Sequence, residues 1–345
     1  MSAIEAKGIT SAMVAWLEAA LPDYPPPYRF ELIAAGGSNL TYIVTSGKRD
    51  RFVLRRPPLR ARIATAHDMQ REYRIMTALH GTATPVPAML AYCSEPEAGD
   101  SEFYCMEFIE GLALREAADC ARMSAADCIA ATESLLDAHV SIHQIDLEAV
   151  GLADLAQHEA YLQRQLKRWK RQVEMGGAQP SPRFAELHER LCETAPAGSC
   201  PPALAHGDYR FDNCLLDRHY RVKAVLDWEL CTIGDPIADF VWSLNFWAQP
   251  GETLTWLMSP PTWHSAFPSR AEVMRLYEQK AGVSLVHLDW YNAFSWWKQA
   301  CIVEGVRARL RQGAEGGMKV ESLDAIGSRI DRYLLHSGKL LQALA

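Results

Sequence analysis

The sequence predicts an α+β fold with two lobes: an N-terminal lobe built on an antiparallel sheet with one main helix, and a larger, mainly helical C-terminal lobe. Two patterns support this prediction. Five short strand-like segments precede Gly111, whereas helical periodicity dominates from Leu112 onward. The chain of 345 residues is also long for a single compact core. We therefore predict an N-terminal lobe at residues 1–111 and a C-terminal lobe at residues 112–345.

The composition is that of an ordinary soluble globular protein, with 49% hydrophobic and 22% charged residues. A formal net charge of −7 argues against a nucleic-acid partner, which usually needs a basic domain. The N-terminus lacks a basic start followed by an apolar block, and no run reaches the roughly 20 apolar residues of a membrane span. The nine cysteines never form a CxxC pair, so neither a disulfide framework nor a zinc site is indicated. We expect a cytoplasmic protein without a membrane or nucleic-acid partner, and its oligomeric state stays open.

The predicted N-terminal lobe begins with an amphipathic helix, in which Met13 and Leu17 lie on one face. GGSN and SGKRD, which have good turn chemistry, then join three short strands, and one helix and two further strands follow. The predicted strands are YRFELIAA, LTYIVTS, RFVLRR, VPAMLAYCS and FYCMEFIEG, and the helix between the third and fourth is HDMQREYRIMTALHG.

The predicted C-terminal lobe contains several long helices. SAADCIAATESLLDAHVSIHQI starts with Ser124 and has Asp127 three residues later, a capping pattern. LAQHEAYLQRQLKRWKRQVEM is a second long helix, whose basic residues indicate a solvated face, with a substrate-facing Arg164 or Arg168 as the alternative. Two short strands, in LAHGDYRFDNCLLD and RVKAVLDWEL, interrupt the helical pattern and flank a polar loop.

That polar loop, HGDYRFDN, carries the strongest indication of chemistry. Asp208 is followed by Asn213 five residues later and by Asp227 nineteen residues later. A carboxylate can accept the proton of a hydroxyl group, and amide and carboxylate oxygens are ligands that Mg²⁺ prefers. Upstream lie a glycine turn, a cation at the end of the third strand and a glutamate in the next helix. This is the order of parts in the protein-kinase template, although a plain polar turn would explain HGD alone.

HGDYRFDN followed by LDWE resembles the aminoglycoside phosphotransferase and choline kinase group of small-molecule kinases, over about residues 30–310. The stretches FVLRRPP, MEFIEG and GDPIADF are similar to a bacterial phosphotransferase branch that resembles the kinase-like domain fused to some acyl-CoA dehydrogenases. The resemblance implies a two-lobed protein-kinase-like fold with ATP and Mg²⁺ as cofactors. It also implies a direct, in-line transfer of the γ-phosphoryl group of ATP to a hydroxyl of a small molecule.

The resemblance assigns a role to each matching residue. Asp208 is the expected catalytic residue, and Asn213 and Asp227 are the expected Mg²⁺ ligands. The expected nucleotide-binding residues are Gly36, Gly37, Ser38 and Asn39 of the glycine turn, Arg55 with its partner Glu72, and the crossover segment at Glu107 and Ile109.

Several of these roles have alternatives. The glycine turn favours nucleotide contact, with an ordinary hairpin as the alternative, and Arg56 competes with Arg55 because strand alternation alone separates them. We expect His206 to brace its loop rather than to act as a general base. We also expect Asp235 and Asp239 to anchor the helical lobe, and Trp296 and Trp297 to be core residues. Glu229 is either a metal ligand or a cap. Arg210, beside Asp208, either steers an anionic substrate or only pairs with Asp212, and the roles of these two residues stay open.

The acceptor itself is not encoded in a short motif. The branch resemblance favours a hydroxyacyl-CoA or another metabolic hydroxy compound. An aminoglycoside or macrolide kinase is the first alternative, and a catalytically inactive pseudokinase scaffold that binds nucleotide is the second. Retention of Asp208, Asn213 and Asp227 argues against the scaffold.

Overall fold

The computed structural model describes residues 8–35, 39–47, 49–57, 68–94, 98, 101–155, 161–176, 180–197, 200–311 and 322–344. The chain forms two compact units. Unit 1 comprises Met1–Gly111 together with Lys223–Glu229, and unit 2 comprises Leu112–Val222 together with Leu230–Ala345. The short segment Lys223–Glu229, which carries Asp227, is therefore grouped with the strand-rich unit. The predicted α+β class is confirmed.

Unit 1 is an antiparallel sheet with two helices. The five strands pair in the order β1-β2-β3-β5-β4, and each lies where the sequence predicts a strand. In chain order the elements are α1 (Ser11–Ala20), β1 (Arg29–Ala35), β2 (Leu40–Thr45), β3 (Arg51–Arg56), α2 (Met69–Leu79), β4 (Met89–Cys93) and β5 (Phe103–Glu107).

The core of unit 1 forms between α1 and the sheet. Met13 and Leu17, from the predicted apolar face of α1, are fully buried together with Tyr42 and Phe52 of the sheet. Trp16 adds an edge-on aromatic contact, with its ring centroid 5.1 Å from that of Phe103. The N-terminal helix is thus part of this hydrophobic core, because its apolar stripe is buried against the strands.

Unit 2 is mainly helical. Its elements, in chain order, are α3 (Ala125–His143), α4 (Tyr161–Glu174), α5 (Arg183–Glu193), β6 (Ala203–Ala205), β7 (Cys214–Leu216), β8 (Val222–Val225, which continues into unit 1), β9 (Thr232–Gly234), α6 (Pro236–Leu244), α7 (Arg270–Ala281), α8 (Leu288–Arg311) and α9 (Leu323–Gln342). Strands β6 and β9 pair antiparallel, so the polar loop after Ala205 and the start of α6 after Gly234 lie at opposite ends of a two-stranded sheet.

Local sequence determines where the functional helices of unit 2 begin. Ser124 and Asp127 form a reciprocal capping box at the start of α3, as the sequence predicts. Asp235 caps α6 by accepting the backbone N–H groups of Ile237 and Ala238, and the next residue is a proline at the first helical position. These caps fix the entry points of the two helices that surround the polar loop.

The tryptophans of α8 are core residues, as predicted: Trp296 and Trp297 are 7% and 1% exposed. The nine cysteines are free thiols. Within the described ranges, no helix has the length and apolar character needed to cross a membrane.

Candidate active site

Gly207 gives the polar loop its backbone path. Its φ of +86° lies in the left-handed region, which side chains other than hydrogen disfavour. A Cβ atom at this position would also lie 2.7 Å from the backbone oxygen of Leu230, closer than such atoms approach. The glycine between His206 and Asp208 is therefore required by both the dihedral angle and the packing of the loop.

Asp208 is held by two hydrogen bonds and one ion pair from unit 2. Its Oδ1 accepts the Trp242 Nε1–H at 3.4 Å, and its Oδ2 accepts the Asn213 Nδ2–H at 3.2 Å. Arg210 Nε lies 3.5 Å from the same Oδ2. The Asp208 side chain nevertheless stays 21% exposed, so a second molecule can reach it. His206 Nδ1 accepts the backbone N–H of Asp208 at 3.3 Å, which is the bracing role predicted for that histidine.

Asn213 faces Asp208 through its amide nitrogen. Nδ2 donates both to the Asp208 carboxylate and to the Asp208 backbone oxygen, the latter at 2.8 Å. The amide oxygen of Asn213 accepts no hydrogen bond from the described part of the chain. The sequence-predicted metal ligand thus has its oxygen available, because the nitrogen already makes the protein contacts.

Asp239 anchors the loop from beneath. Its carboxylate accepts the backbone N–H groups of His206 and Gly207 at 2.9 and 2.8 Å, and Nε2 of His139 and His143 at 3.1 and 3.2 Å. Burial alone would raise the pKa of Asp239, but the hydrogen bonds from the two histidines outweigh it and hold that pKa well below its usual range. The predicted anchoring role of Asp239 is confirmed.

The two histidines beside Asp239 were not singled out by the sequence. Burial, reinforced by the neighbouring His143, lowers the pKa of His139 to about 4, so this imidazole is neutral at neutral pH. The His139 ring also stacks on Tyr209, with centroids 4.1 Å apart. His139, His143 and Asp239 could geometrically hold a metal ion. We assign them to the anchor, because four N–H donors already occupy the carboxylate.

Asp235, the other predicted anchor, accepts the phenol O–H of Tyr291 at 2.6 Å besides capping α6. That contact ties the start of α6 to α8. Its predicted anchoring role is confirmed as well.

In unit 1, Arg55 is the cation that joins the acidic residues. Its Nη1 lies 2.9 Å from Glu72 Oε1 and its Nη2 lies 2.6 Å from Asp227 Oδ1. Glu72 is 1% exposed, and burial raises its pKa although the Arg55 guanidinium opposes this effect. Burial lowers the pKa of Arg55, but its surroundings, first Tyr104 and then the two carboxylates, outweigh burial and raise that pKa above its ordinary value. The predicted partnership of Arg55 and Glu72 is therefore present as an ion pair.

Arg56, the competing candidate, belongs to the structural core. Its guanidinium donates to the backbone oxygen of Gly8 and to Ser101 Oγ, the latter at 3.0 Å, and lies 3.6 Å from Met13 Sδ. Adjacent residues of a strand face opposite sides of the sheet. In the pairing of β3 with β2, Arg55 lies opposite Thr41 and Arg56 lies opposite Leu40, and this register determines which arginine faces the acidic residues.

Asp227 adopts an unusual backbone conformation for a residue with a side chain. Its φ is +65°, in the left-handed region, and its side chain is 31% exposed. Oδ1 is engaged by Arg55, whereas Oδ2 has no hydrogen-bond partner among the described residues. Strained residues of this kind cluster at functional sites, and here the strain directs a carboxylate with one available oxygen.

The predicted glycine turn is only partly described. Gly36, Gly37 and Ser38 lie outside the described residues. Asn39 is 3% exposed, and its Nδ2 donates to Glu229 Oε2 at 3.3 Å, while its Oδ1 is buried without a partner in the described part of the chain. The same Glu229 oxygen lies 3.8 Å from Arg55 Nη2. Asn39 and Glu229 therefore extend the cluster of Arg55 and Asp227.

The predicted crossover segment follows β5. The backbone N–H of Glu107, at the end of that strand, already donates to Ala88 at 2.8 Å. Ile109 lies beyond the strand, and its backbone groups make no hydrogen bond within the described residues. Of the two residues, Ile109 has the backbone that is available to a ligand.

Arg210 and Asp212 form an ion pair in unit 2, with Arg210 Nε 3.0 Å from Asp212 Oδ1. The Arg210 guanidinium also lies 4.8 Å from the centroid of the Phe246 ring. Beside this pair is a small, largely apolar recess. It is lined by Leu114, Leu135, Arg210, Phe211, Asp212, Ser243, Phe246, Trp247, Leu257, Pro261 and Thr262.

Sequence reasoning missed two further residues near Asp208. Trp242 lies three residues after Asp239 on α6 and donates to the Asp208 carboxylate. Lys298 lies in α8, with Nζ 3.5 Å from the centroid of the Trp242 ring. A single lysine inside the apolar stretch FSWWKQACIV was a signal that could have drawn attention to it.

This geometry agrees with what known proteins show. The family model described as the phosphotransferase enzyme family matches residues 29–258, which is more than half of the chain. The chain belongs to the phosphotransferase enzyme family. The predicted family is confirmed, as is the predicted enzyme class, a phosphotransferase.

Among curated relatives of this phosphotransferase-family chain is acyl-CoA dehydrogenase family member 11. The Gallus gallus protein is 32% identical over 285 residues, which is 80% of this chain and 36% of the relative. The Homo sapiens protein is 30% identical over 282 residues, 81% of this chain and 36% of the relative. The chain spans about a third of the length of the curated relatives that it matches.

Solved phosphotransferase structures share the fold. A Ralstonia eutropha protein assigned to the aminoglycoside phosphotransferases has a TM-score of 0.80 at 28% identity, covering 98% of this chain and 99% of that one. An aminoglycoside phosphotransferase in a ternary complex with ADP and hygromycin B has a TM-score of 0.62 at 15% identity, covering 96% and 98%. The latter likeness establishes the fold alone.

Proposed function

We propose that this chain is a kinase that transfers the γ-phosphoryl group of ATP, with Mg²⁺, to a hydroxyl group of a small molecule. The observation that carries the proposal is the Asp208 carboxylate. It is fixed by Asn213 and Trp242 but remains 21% exposed. A rigid and accessible carboxylate at the end of a strand is suited to orient an incoming hydroxyl and to accept its proton.

The proposed path of the proton is short. An alcohol is a weak nucleophile until its oxygen is aligned with the phosphorus atom and its proton has an acceptor. Asp208 serves both needs, because one carboxylate oxygen can hold the hydroxyl while Trp242 and Asn213 keep the carboxylate from rotating. No phospho-enzyme is needed, since the oxygen that attacks belongs to the acceptor.

The donor chemistry of Asn213 and that of Asp227, each taken within its own unit, suit a magnesium ion. Asn213 offers an amide oxygen and Asp227 a carboxylate oxygen, neither of which accepts a hydrogen bond within the described residues. Such oxygen donors are those that Mg²⁺ prefers, and when bound the ion neutralises charge on the phosphate groups. We propose Asn213 and Asp227 as its protein ligands.

We propose that Arg55 adds positive charge for the nucleotide phosphates, held in place by Glu72. Its buried Nε–H has no hydrogen-bond partner in the described part of the chain. For Gly36, Gly37, Ser38 and Asn39, the proposed phosphate contacts rest on the sequence alone, and Ile109 is the proposed backbone contact of the adenine, with Glu107 as its neighbour.

For the acceptor we propose a hydroxyacyl-CoA or a related metabolic hydroxy compound. The relatives' names, acyl-CoA dehydrogenase family members, and the apolar recess beside Arg210 support this class. An aminoglycoside or macrolide is the alternative, supported by structural likeness to kinases of those antibiotics. Aminoglycosides are polycations, and Arg210 beside Asp208 and Asp212 makes this region less acidic than such a ligand would favour.

The proposal is tested by Mg²⁺-dependent ADP formation with a panel of hydroxyacyl-CoA thioesters, free hydroxy acids, aminoglycosides and macrolides. Asp208→Asn should abolish nearly all turnover while it leaves ATP binding, measured by calorimetry, within about twofold. The control Asp331→Asn changes an exposed residue of α9 and should behave as wild type. Turnover that survives in Asp208→Asn would disprove the assignment. ATP binding without acceptor-dependent ADP formation in the wild-type protein would support the pseudokinase scaffold instead.

A further inference from the structure

Lys298 is a buried lysine close to the proposed catalytic carboxylate. Its residue is 6% exposed, and its Nζ lies 3.5 Å from the centroid of the Trp242 ring and 5.6 Å from that of Trp169. Trp242 in turn donates its Nε1–H to Asp208 Oδ1. One indole therefore touches the carboxylate with its N–H edge and the ammonium with its face.

The Lys298 ammonium has no direct carboxylate or carbonyl contact within the described residues. Among the described residues, Lys298 makes no hydrogen bond and no ion pair. Burial lowers its pKa to about 8, and the more distant charges of Asp239 and Asp208 only partly oppose that effect. A buried cation whose direct contacts among the described residues are aromatic faces is costly, and such a cost is usually retained where a ligand supplies a further counter-charge.

The other cations of this region point the same way. Arg210 lies 3.5 Å from Asp208, and the charge of Arg168 also acts on Lys298. A cationic acceptor would have to approach Asp208 beside Lys298 and Arg210, which is electrostatically unfavourable. An acceptor with an oxygen of negative or partly negative charge near its hydroxyl would be attracted.

From this arrangement we propose that Lys298 is a specificity-determining residue that binds an acyl oxygen of the phosphoryl acceptor, either a carboxylate oxygen or a thioester carbonyl oxygen. The inference rests on the proposed function, in which Asp208 holds the acceptor hydroxyl. Asp208 and Lys298 then bind two groups of the same molecule, and the Trp242 indole lies between the Asp208 carboxylate and the Lys298 ammonium. Compounds with a hydroxyl but no acyl oxygen satisfy only Asp208.

The test measures binding and turnover separately. Binding is followed by calorimetry with short-chain acyl-CoA thioesters that lack a hydroxyl and with the free acids. Turnover is followed as ADP formation with hydroxyacyl-CoA thioesters, hydroxy acids and diols of the same chain length. The variants are Lys298→Met, which keeps the length of the side chain, Lys298→Arg, which keeps the charge, and the control Lys339→Met on the exposed side of α9.

Lys298→Met should weaken binding of the thioester or the acid, and raise the KM of its hydroxy counterpart, about 10- to 100-fold, as expected for a lost charge-assisted hydrogen bond. The KM for ATP and turnover of diols should stay within about twofold. Lys298→Arg should recover part of the loss, and Lys339→Met should match wild type. Comparison of the results with thioesters and with free acids shows whether Lys298 binds a thioester carbonyl oxygen or a carboxylate oxygen.

The outcomes separate this inference from the proposed function. If wild type binds the probes through Lys298 but forms no ADP with any acceptor, Lys298 is an acyl-oxygen binding residue and the kinase proposal fails. If ADP forms and Lys298→Met leaves probe binding and acceptor KM unchanged, the inference fails and the kinase proposal stands. Three other results would also overturn the role of Lys298. Lys298→Met could raise the KM of diols as much as that of the acyl compounds, or it could change only the KM for ATP. The third such result is that the wild-type protein binds none of the probes.

Discussion

The carboxylate of Asp239 accepts the backbone N–H of Gly207 at 2.8 Å, directly beside the residue proposed as catalytic. A fully buried side chain on α6 thereby fixes the backbone from which Asp208 projects, and two histidines from α3 complete its hydrogen bonds. The position of Asp208 thus depends on buried residues that hold the backbone next to it.

Asp239→Ala should lower both stability and turnover. The substitution leaves the two backbone N–H groups and the two histidines without their acceptor, and removing one partner of a buried charged network typically costs about 3–5 kcal/mol. Urea denaturation and steady-state kinetics measure the two effects. Asp331→Asn, an exposed position on α9, should stay within about 0.5 kcal/mol of wild type. An Asp239→Ala protein with normal stability would show that the anchor is dispensable.

The low pKa of His139 predicts acid sensitivity. Its pKa falls from 6.5 in the unfolded chain to about 4 in the folded protein, so the unfolded state binds the proton more readily between these values. The free energy of unfolding should therefore fall as the pH drops from about 6.5 to about 4, by on the order of 3 kcal/mol from this group. Denaturation at a series of pH values measures the slope. His139→Gln should flatten it, whereas the exposed control His219→Gln should not; equal slopes in all three proteins would exclude His139 as the cause.

Gly207→Ala should destabilise the protein more than an alanine at another glycine of positive φ. Gly251 has a φ of +85°, nearly the same as the +86° of Gly207, but its Cβ would meet no atom within 4 Å. Gly251→Ala therefore measures the backbone strain alone, about 1 kcal/mol. Gly207→Ala adds the clash with Leu230 and should cost about 1–3 kcal/mol more. Equal losses in thermal denaturation would mean that the loop relaxes around the added atom.

Arg55 and Arg56, which are neighbours on β3, should differ in the effect of their substitution: Arg55→Met should lower activity, and Arg56→Met should lower stability. Arg55→Met leaves Glu72 buried without its cation and removes the proposed phosphate contact, so kcat/KM for ATP should fall at least about tenfold. Arg56→Met leaves the acceptors at Gly8 and Ser101 unpaired and should cost about 1–3 kcal/mol of stability with kcat unchanged. If instead Arg56→Met lowered kcat/KM for ATP and Arg55→Met lowered only stability, Arg56 would be the nucleotide-binding arginine.

The fold was largely predictable because its local signals agree with one another. The five strands and the helix of unit 1 have clear periodicity and turn residues, and Ser124 and Asp235 are capping residues that the sequence displays. Asp208, Asn213 and Asp227 could be predicted as site residues because their spacing along the chain is short and their chemistry is specific, and their roles stay a proposal.

What could not be predicted depends on contacts between distant segments. The choice between Arg55 and Arg56 required the register of β3 on β2, which a single sequence does not specify. His139, Trp242 and Lys298 lie on three different helices, and only tertiary packing brings them to the loop. Helix periodicity marks all three positions as ordinary core residues, so their polar contacts have no local signature.

The helices at both ends of the chain have a practical consequence. Residues 29–258 match the family, yet a protein shortened to that stretch would lose α1, which fills the core of unit 1, and α8, whose Tyr291 binds Asp235 at 2.6 Å. It would expose the apolar faces that these helices cover and would aggregate rather than fold. The boundary that identifies the family is thus narrower than the boundary that a crystallisable or assayable protein needs.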